Sequence, residues 1–167
     1  RDQPRSRGLG DVYKRQTRGV DAEPADLMGE KNLYQNVKMV TAFAEKSGAV
    51  VAATGKNDIV SDGRKAYWIQ NGHSMMQTVT GVGCQLSALT AAYVAANPKH
   101  TLEAVTAAVS AIGVCGELAY ERMSDLDGNA SYRNYLIDAV YRLDGKKLER
   151  LARVEKVNED GEKSNEM

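Results

Sequence analysis

The chain has no charge excess of either sign: its 167 residues hold 22 Lys and Arg against 22 Asp and Glu. It therefore lacks the basic surplus that suits nucleic acid and the acidic tract of a solvating tail. No unbroken apolar run reaches the roughly 18 residues that suggest a membrane span. The first residues are polar and lack the apolar centre of a signal peptide. Cysteine is scarce. Cys84 and Cys115 stand far apart with no C-x-x-C pair, which argues against a disulfide framework or a zinc site. No repeat is visible. What is present, 43% hydrophobic residues, suits one globular domain with a substantial core, and the thiol usage fits a reduced, cytoplasmic setting.

Residues 1–16, RDQPRSRGLGDVYKRQ, hold five Arg or Lys and show no period, and they read as a disordered, non-native leader. An orderly domain follows over 17–155, with a polar tail at 156–167. Leu33, Val37, Val40 and Ala44 fall at helical spacing within 31–47, with Gly48 as the stop. AVVAATG, 49–55, reads as a buried parallel strand, so helix then strand predicts an α/β layer. Ile59 and Val60, a turn at Asp62-Gly63, and Lys65 to Ile69 read as a hairpin. Further helices are expected at 84–96, at 101–122 with Thr101 as N-cap, at 131–144, and as a short charged helix at 146–153. The small residues of 101–122, among them Ala104, Ala108, Gly113 and Gly116, suit close helix packing.

The chemistry centres on VTGVGCQLSAL, 79–89, where a glycine turn runs into a helix. Glycines allow successive N–H groups to point into one concavity, with the positive end of the helix behind them. Helix N-termini also favour a thiolate, which places a base beside an anion hole, the pairing that phosphoryl transfer to an alcohol requires. A bland reading stands beside it: a tight turn followed by a small buried residue. The stretch is neither a Walker A loop, since the closing Lys-Ser/Thr is missing, nor a dinucleotide fingerprint, since Ser87 stands where a third glycine belongs. Elsewhere, His73 reads as a structural residue and Cys115 as core. Asp58 and Asp62 read as turn residues rather than a metal pair, and Glu117 with Glu121 as a solvated face. Tyr67 and Trp68 alternate, so one faces the core or a nucleotide.

Several motifs in order bear a resemblance to one family. VAATGKNDIVSDG at 51–63, NGH at 71–73, TGVGCQLSAL at 80–89 and GNASYRNYLIDAVYRL at 128–143 together look like the C-terminal half of hydroxyethylthiazole kinase. The resemblance implies a partial ribokinase-like three-layer α/β/α sandwich. It implies transfer of phosphate from ATP, with Mg2+, to the primary alcohol of 4-methyl-5-(2-hydroxyethyl)thiazole in thiamine biosynthesis or salvage. It also implies a homotrimer with active sites between subunits, and no nucleic-acid or membrane partner. By position, Cys84 matches the catalytic base, and Gly81 the substrate contact. Val82, Gly83 and Cys84 complete the anion hole with Gly81, and Thr54 matches an ATP contact. Two departures stand out. Val82 replaces the family's usual Thr, and the family's N-terminal half, with its metal ligands and much of the thiazole pocket, has no counterpart. No metal ligand is assigned, and the fragment is expected to be inactive. Another ribokinase-like small-alcohol kinase, or a non-catalytic nucleotide-binding module, are the alternatives.

Overall fold

A computed structural model of the chain describes residues 33–157. The leader expected at 1–16, residues 17–32 and the tail from 158 onward lie outside the described residues. The order of elements is α1 (Leu33–Ser47), β1 (Val51–Ala53), β2 (Asp58–Ser61), β3 (Ala66–Ile69), a 3-10 helix (Ser74–Thr78), α2 (Val82–Ala96), α3 (Thr101–Glu121), α4 (Asn129–Arg142), α5 (Gly145–Leu151) and β4 (Val154–Val157). The strands form one sheet in the order β1-β2-β3-β4.

Every pairing among the described strands is antiparallel, with Ala53 opposite Ile59, Asp58 opposite Ile69 and Ile69 opposite Val154. This corrects the expected parallel strand at 49–55. The expected burial also fails: β1 stands last in the order of the described strands, none of its three residues is buried and Ala52 is exposed, and it meets β2 through a short loop that only an antiparallel pair can use. The hairpin is as expected: Asp62 Oδ1 accepts from the backbone N–H groups of Arg64 and Lys65, both at 2.8 Å, and closes the turn. Strand β4 was not foreseen. Its four residues sit in a segment read as helix end and polar tail, yet Val157 is only 3% exposed.

Helices cover both faces of the sheet. On one, Val37 and Val40 of α1 pack on Ile59, Ala66, Trp68 and Val157. On the other, Leu102, Val105 and Val109 of α3 pack on Val60 and Ile69, with Tyr67 against them. The alternation of Tyr67 and Trp68 is thus resolved: Trp68 faces α1 and Tyr67 faces α3. A third cluster lies beyond α3, where Ile112, Cys115 and Ala119 meet Tyr132, Leu136 and Ala139 of α4 together with Val79. Each fully buried aliphatic side chain of this kind contributes about 1.5–3 kcal/mol.

Helix α3 is the hub, and it differs from expectation in two ways. His100, not Thr101, is its N-cap, and no side chain caps it; Thr101 is the first helical residue. It is also long and apolar enough to cross a membrane, although Gly, Ser, Thr and Glu interrupt every apolar run. With 78% of its most apolar window buried, that apolarity is used on the core. Its glycines serve contact. A Cβ on Gly113 would lie 2.8 Å from the backbone oxygen of Asn71, and one on Gly116 would collide with Met76. The neighbour at Gly113 is backbone, which has little room to yield. Gly113→Ala is therefore expected to destabilise the chain by about 1–3 kcal/mol, the usual cost of overpacking. Chemical denaturation of both proteins checks this; a stabilised variant would contradict the close seat of Asn71.

Candidate active site at the glycine turn

Gly81 has φ 99° and ψ −2°, a left-handed conformation that disfavours any side chain, and it serves as N-cap of α2. Gln85 N–H donates to Gly81 O at 3.0 Å and closes the first helical turn. The helix thus begins at Val82, two residues earlier than expected, and Cys84 is its third residue. The N–H groups of Val82, Gly83 and Cys84 have no acceptor within the helix, as in any first turn. A Cβ built on Gly81 or Gly83 meets no atom of the described residues within 4 Å. Packing among the described residues thus gives no reason for a glycine at 83, whereas the approach of a ligand to the backbone would. Cys84 is exposed, which sets aside the reading of a small buried residue. The first-turn N–H groups, the N-terminus of α2 and an exposed thiol thus lie within three residues of one another.

The approach to the turn is held along its length. Asn71 is 4% exposed; its Oδ1 accepts from Arg153 N–H at 2.6 Å, and its Nδ2 donates to Leu151 O at 3.0 Å and to Glu117 Oε2 at 3.2 Å. Gly72 N–H donates to Glu117 Oε1 at 2.7 Å, and the Arg153 guanidinium pairs with the same carboxylate. Glu117 is therefore not part of a solvated face, as its spacing from Glu121 suggested. Its partners come from β3's end and from the residue before β4, which no local pattern reveals. His73 caps the 3-10 helix, its Nδ1 accepting from Met75 N–H at 3.2 Å, and its ring stacks on Tyr120 at 3.6 Å, a structural role as expected. Val79 is buried in the cluster between α3 and α4. Cys115 is core, its thiol pushed up to about 11 by burial.

Thr54 lies just past β1, and exposed. The register places the end of β1, the start of β2 and the end of β3 at one edge of the sheet, so Thr54, Asp58 and the segment leading to the glycine turn leave the same end. Asp58 Oδ1 accepts from Gly55 N–H at 2.9 Å, the turn role expected of it. Burial pushes its carboxyl up to about 6, against the opposing Gly55 hydrogen bond. Among the described residues no three His, Cys, Asp or Glu side chains converge as metal ligands. Two surface concavities, one around Glu45, Asp62 and Arg64 and one around Tyr67, Ala107 and Leu148, lie away from the turn.

Comparison with known proteins decides the family. The hydroxyethylthiazole kinase family matches residues 10–146. The chain belongs to that family. It is 50% identical over 139 residues to a hydroxyethylthiazole kinase of Clostridium acetobutylicum, covering 83% of this chain and 51% of that protein. It is 35% identical over 130 residues to hydroxyethylthiazole kinase 2 of Clostridium botulinum strain 657, covering 78% and 47% respectively. A solved hydroxyethylthiazole kinase structure from Pyrococcus horikoshii OT3 superposes with a TM-score of 0.69 at 34% identity, over 77% of this chain and 49% of that one. The chain thus spans about half the length of the relatives it matches.

Asp58 gives a pH prediction. Its folded value of about 6 lies above the ordinary 3.8, so the folded chain binds the proton more tightly. Stability from this group is fully present below pH 3.8 and is lost as pH rises through 6. Asp58→Asn removes the ionisation and keeps an acceptor for Gly55. Its advantage over the wild type is expected to be near zero at pH 4 and to grow by up to about 3 kcal/mol at pH 7.5. Denaturation of both proteins across that range checks it; a difference that does not change with pH contradicts the burial of a charged Asp58.

Proposed function

We propose that the chain is the glycine-turn half of a ribokinase-like kinase that phosphorylates the primary alcohol of 4-methyl-5-(2-hydroxyethyl)thiazole with ATP, in thiamine biosynthesis or salvage. The observation that carries this reading is the open turn itself: Gly81 in a left-handed conformation, Gly83 with no described atom within 4 Å of a Cβ built on it, and an exposed Cys84 on the first turn of α2. Family membership supports the substrate class.

In this mechanism the alcohol oxygen attacks the γ-phosphorus of ATP, the bond from that phosphorus to the β–γ bridging oxygen breaks, and ADP leaves. Cys84, as thiolate, takes the proton of the alcohol. The N–H groups of Val82, Gly83 and Cys84 hold the negative charge on the moving phosphoryl oxygens, aided by the helix N-terminus. Val82 supplies only its backbone donor, since it lacks the hydroxyl of the family's usual Thr. Gly81 lets the substrate approach the backbone, and Thr54 contacts the nucleotide. Mg2+ bound with the nucleotide would neutralise charge on the phosphate oxygens, and no three described carboxylate, His or Cys side chains gather to hold it. The family resemblance extends the proposal to a cytoplasmic homotrimer with sites between subunits.

A non-catalytic nucleotide-binding module is the second reading, since an open glycine turn at a helix N-terminus suits anion binding whether or not chemistry follows. A coupled ADP assay separates the two. The 167-residue chain alone is expected to bind ATP and to form no ADP with the thiazole alcohol; clear turnover would show that it needs no further residues. In a full-length kinase carrying this sequence, Cys84→Ala is expected to lower kcat by about 10²–10⁴, the worth of a general base, with little change in ATP affinity. Unchanged turnover would remove Cys84 from the chemistry. Gly83→Ala is expected to leave folding stability unchanged or slightly raised, since Ala is the better helix former by up to about 1 kcal/mol, while weakening ATP binding. Equal ATP affinity in the two proteins would contradict an anion at the turn.

A further inference from the structure

We propose that Asn129 is the positioning residue of the glycine turn, a role that rests on the kinase reading above and names the group that aims its anion hole. Asn129 is the first residue of α4, and its side chain reaches back across the structure to Thr78. Its Nδ2 donates to Thr78 O at 3.1 Å, and its Oδ1 accepts from Thr78 Oγ1 at 3.1 Å. The same Thr78 hydroxyl lies 2.8 Å from Met75 O, so its single proton is shared between two acceptors. The uncontested bond is the one from the Asn129 amide to the Thr78 carbonyl.

Position gives this clamp its meaning. Thr78 ends the 3-10 helix, and the chain then runs through Val79 and Thr80 to the left-handed Gly81. Val79, 8% exposed, drops into the cluster formed by α3 and α4. The turn is therefore fixed at its near end by Asn129 and Val79, and at its far end by the bond from Gln85 N–H to Gly81 O. Between these points no side chain among the described residues comes within 4 Å of a Cβ built on Gly81 or Gly83. Preorganised donors stabilise developing charge only when their direction is set before the charge appears. Here that direction depends on the two ends, and Asn129 supplies the polar half of one of them. An Asn at the start of α4 also has no capping duty that would explain it, because the N-cap is Gly128.

The test uses the full chain, labelled with 15N. Backbone order parameters of Thr80 to Cys84 are measured without ligand, and inorganic phosphate is then titrated while the same amides are followed. The wild-type turn is expected to behave as rigid backbone, with order parameters near 0.85, and Asn129→Ala to lower them below about 0.6. Phosphate binding is expected to weaken roughly tenfold, as the loss of one or two neutral hydrogen bonds implies. Thr78→Val, which keeps the carbonyl and loses the hydroxyl, should give a smaller loss, and Thr78→Ser should match the wild type. Asp144→Ala removes the N-cap of α5, where Asp144 Oδ1 accepts from Lys147 N–H at 2.8 Å, and so controls for general destabilisation; it should leave the turn and its phosphate affinity unchanged. A turn that is already mobile in the wild type, that stays rigid in Asn129→Ala, or that loosens equally in Asp144→Ala overturns the proposal. If the wild type binds no phosphate, the anion-site reading fails, while the order parameters still decide whether Asn129 holds the turn.

Discussion

The buried side chain of Asn71 is the interaction on which the rest of the structure depends. A polar group at 4% exposure is costly unless each of its donors and acceptors is met, and those of Asn71 are. Its partners are Arg153 N–H, Leu151 O and Glu117, so one amide joins the end of β3, the last turns of α3 and the link from α5 to β4. Its backbone rests directly on Gly113, where even a methyl group would not fit. The charged pair of Arg153 and Glu117 lies over this contact. Exposed ion pairs contribute little by themselves, but here the carboxylate also receives Gly72 N–H and the guanidinium also reaches Gln70 O. The group acts as a network, so removing one member leaves others unmet.

That seat sets the course of the chain toward the glycine turn. From Gly72 the backbone passes over α3, is capped by His73, packs Met76 against Gly116 and ends in the clamp at Thr78. Small residues on α3 permit this. A helix rich in Leu would hold the segment farther out and would move the N-terminus of α2 with it. Helix α3 therefore does two jobs along its length. Its first half fills the space over the sheet with Leu102, Val105 and Val109, and its second half offers a shallow surface for α4 and for the segment that carries the site.

Much of this was legible in the sequence, and the failures have a common physical cause. Periodicity located α1, whose Val37, Val40 and Ala44 are buried as their spacing requires, and Asp62-Gly63 marked the hairpin turn. The glycine turn and Cys84 were legible because left-handed backbone and a helix start leave a local signature. Neither the direction nor the burial of the strand at 49–55 was, since a small-apolar run such as AVVAATG does not say which strands lie beside it, and none of its residues is buried among the described ones. Glu117 was misread because its partners lie 36 and 45 residues away. Strand β4 hid in a charged stretch, where only pairing with β3 makes VEKV a strand. In α4 the expected span was found, and the fully buried Tyr132 and Leu136 carry its packing. Local conformation was readable, and long-range partnership was not.

The central claim is that the approach to the site is part of the core and not a loop laid over it. Native-state amide hydrogen exchange tests this most directly. The N–H groups of Gln70, Gly72 and Arg153 donate to Arg153 O, Glu117 and Asn71 respectively, and each bond crosses the network. If the account is right, these amides exchange only through the global opening that releases the centre of α3, with the same free energy. If they exchange through local opening while α3 stays protected, the segment is held by something weaker than the Asn71 network, and the account of how the glycine turn is placed fails with it.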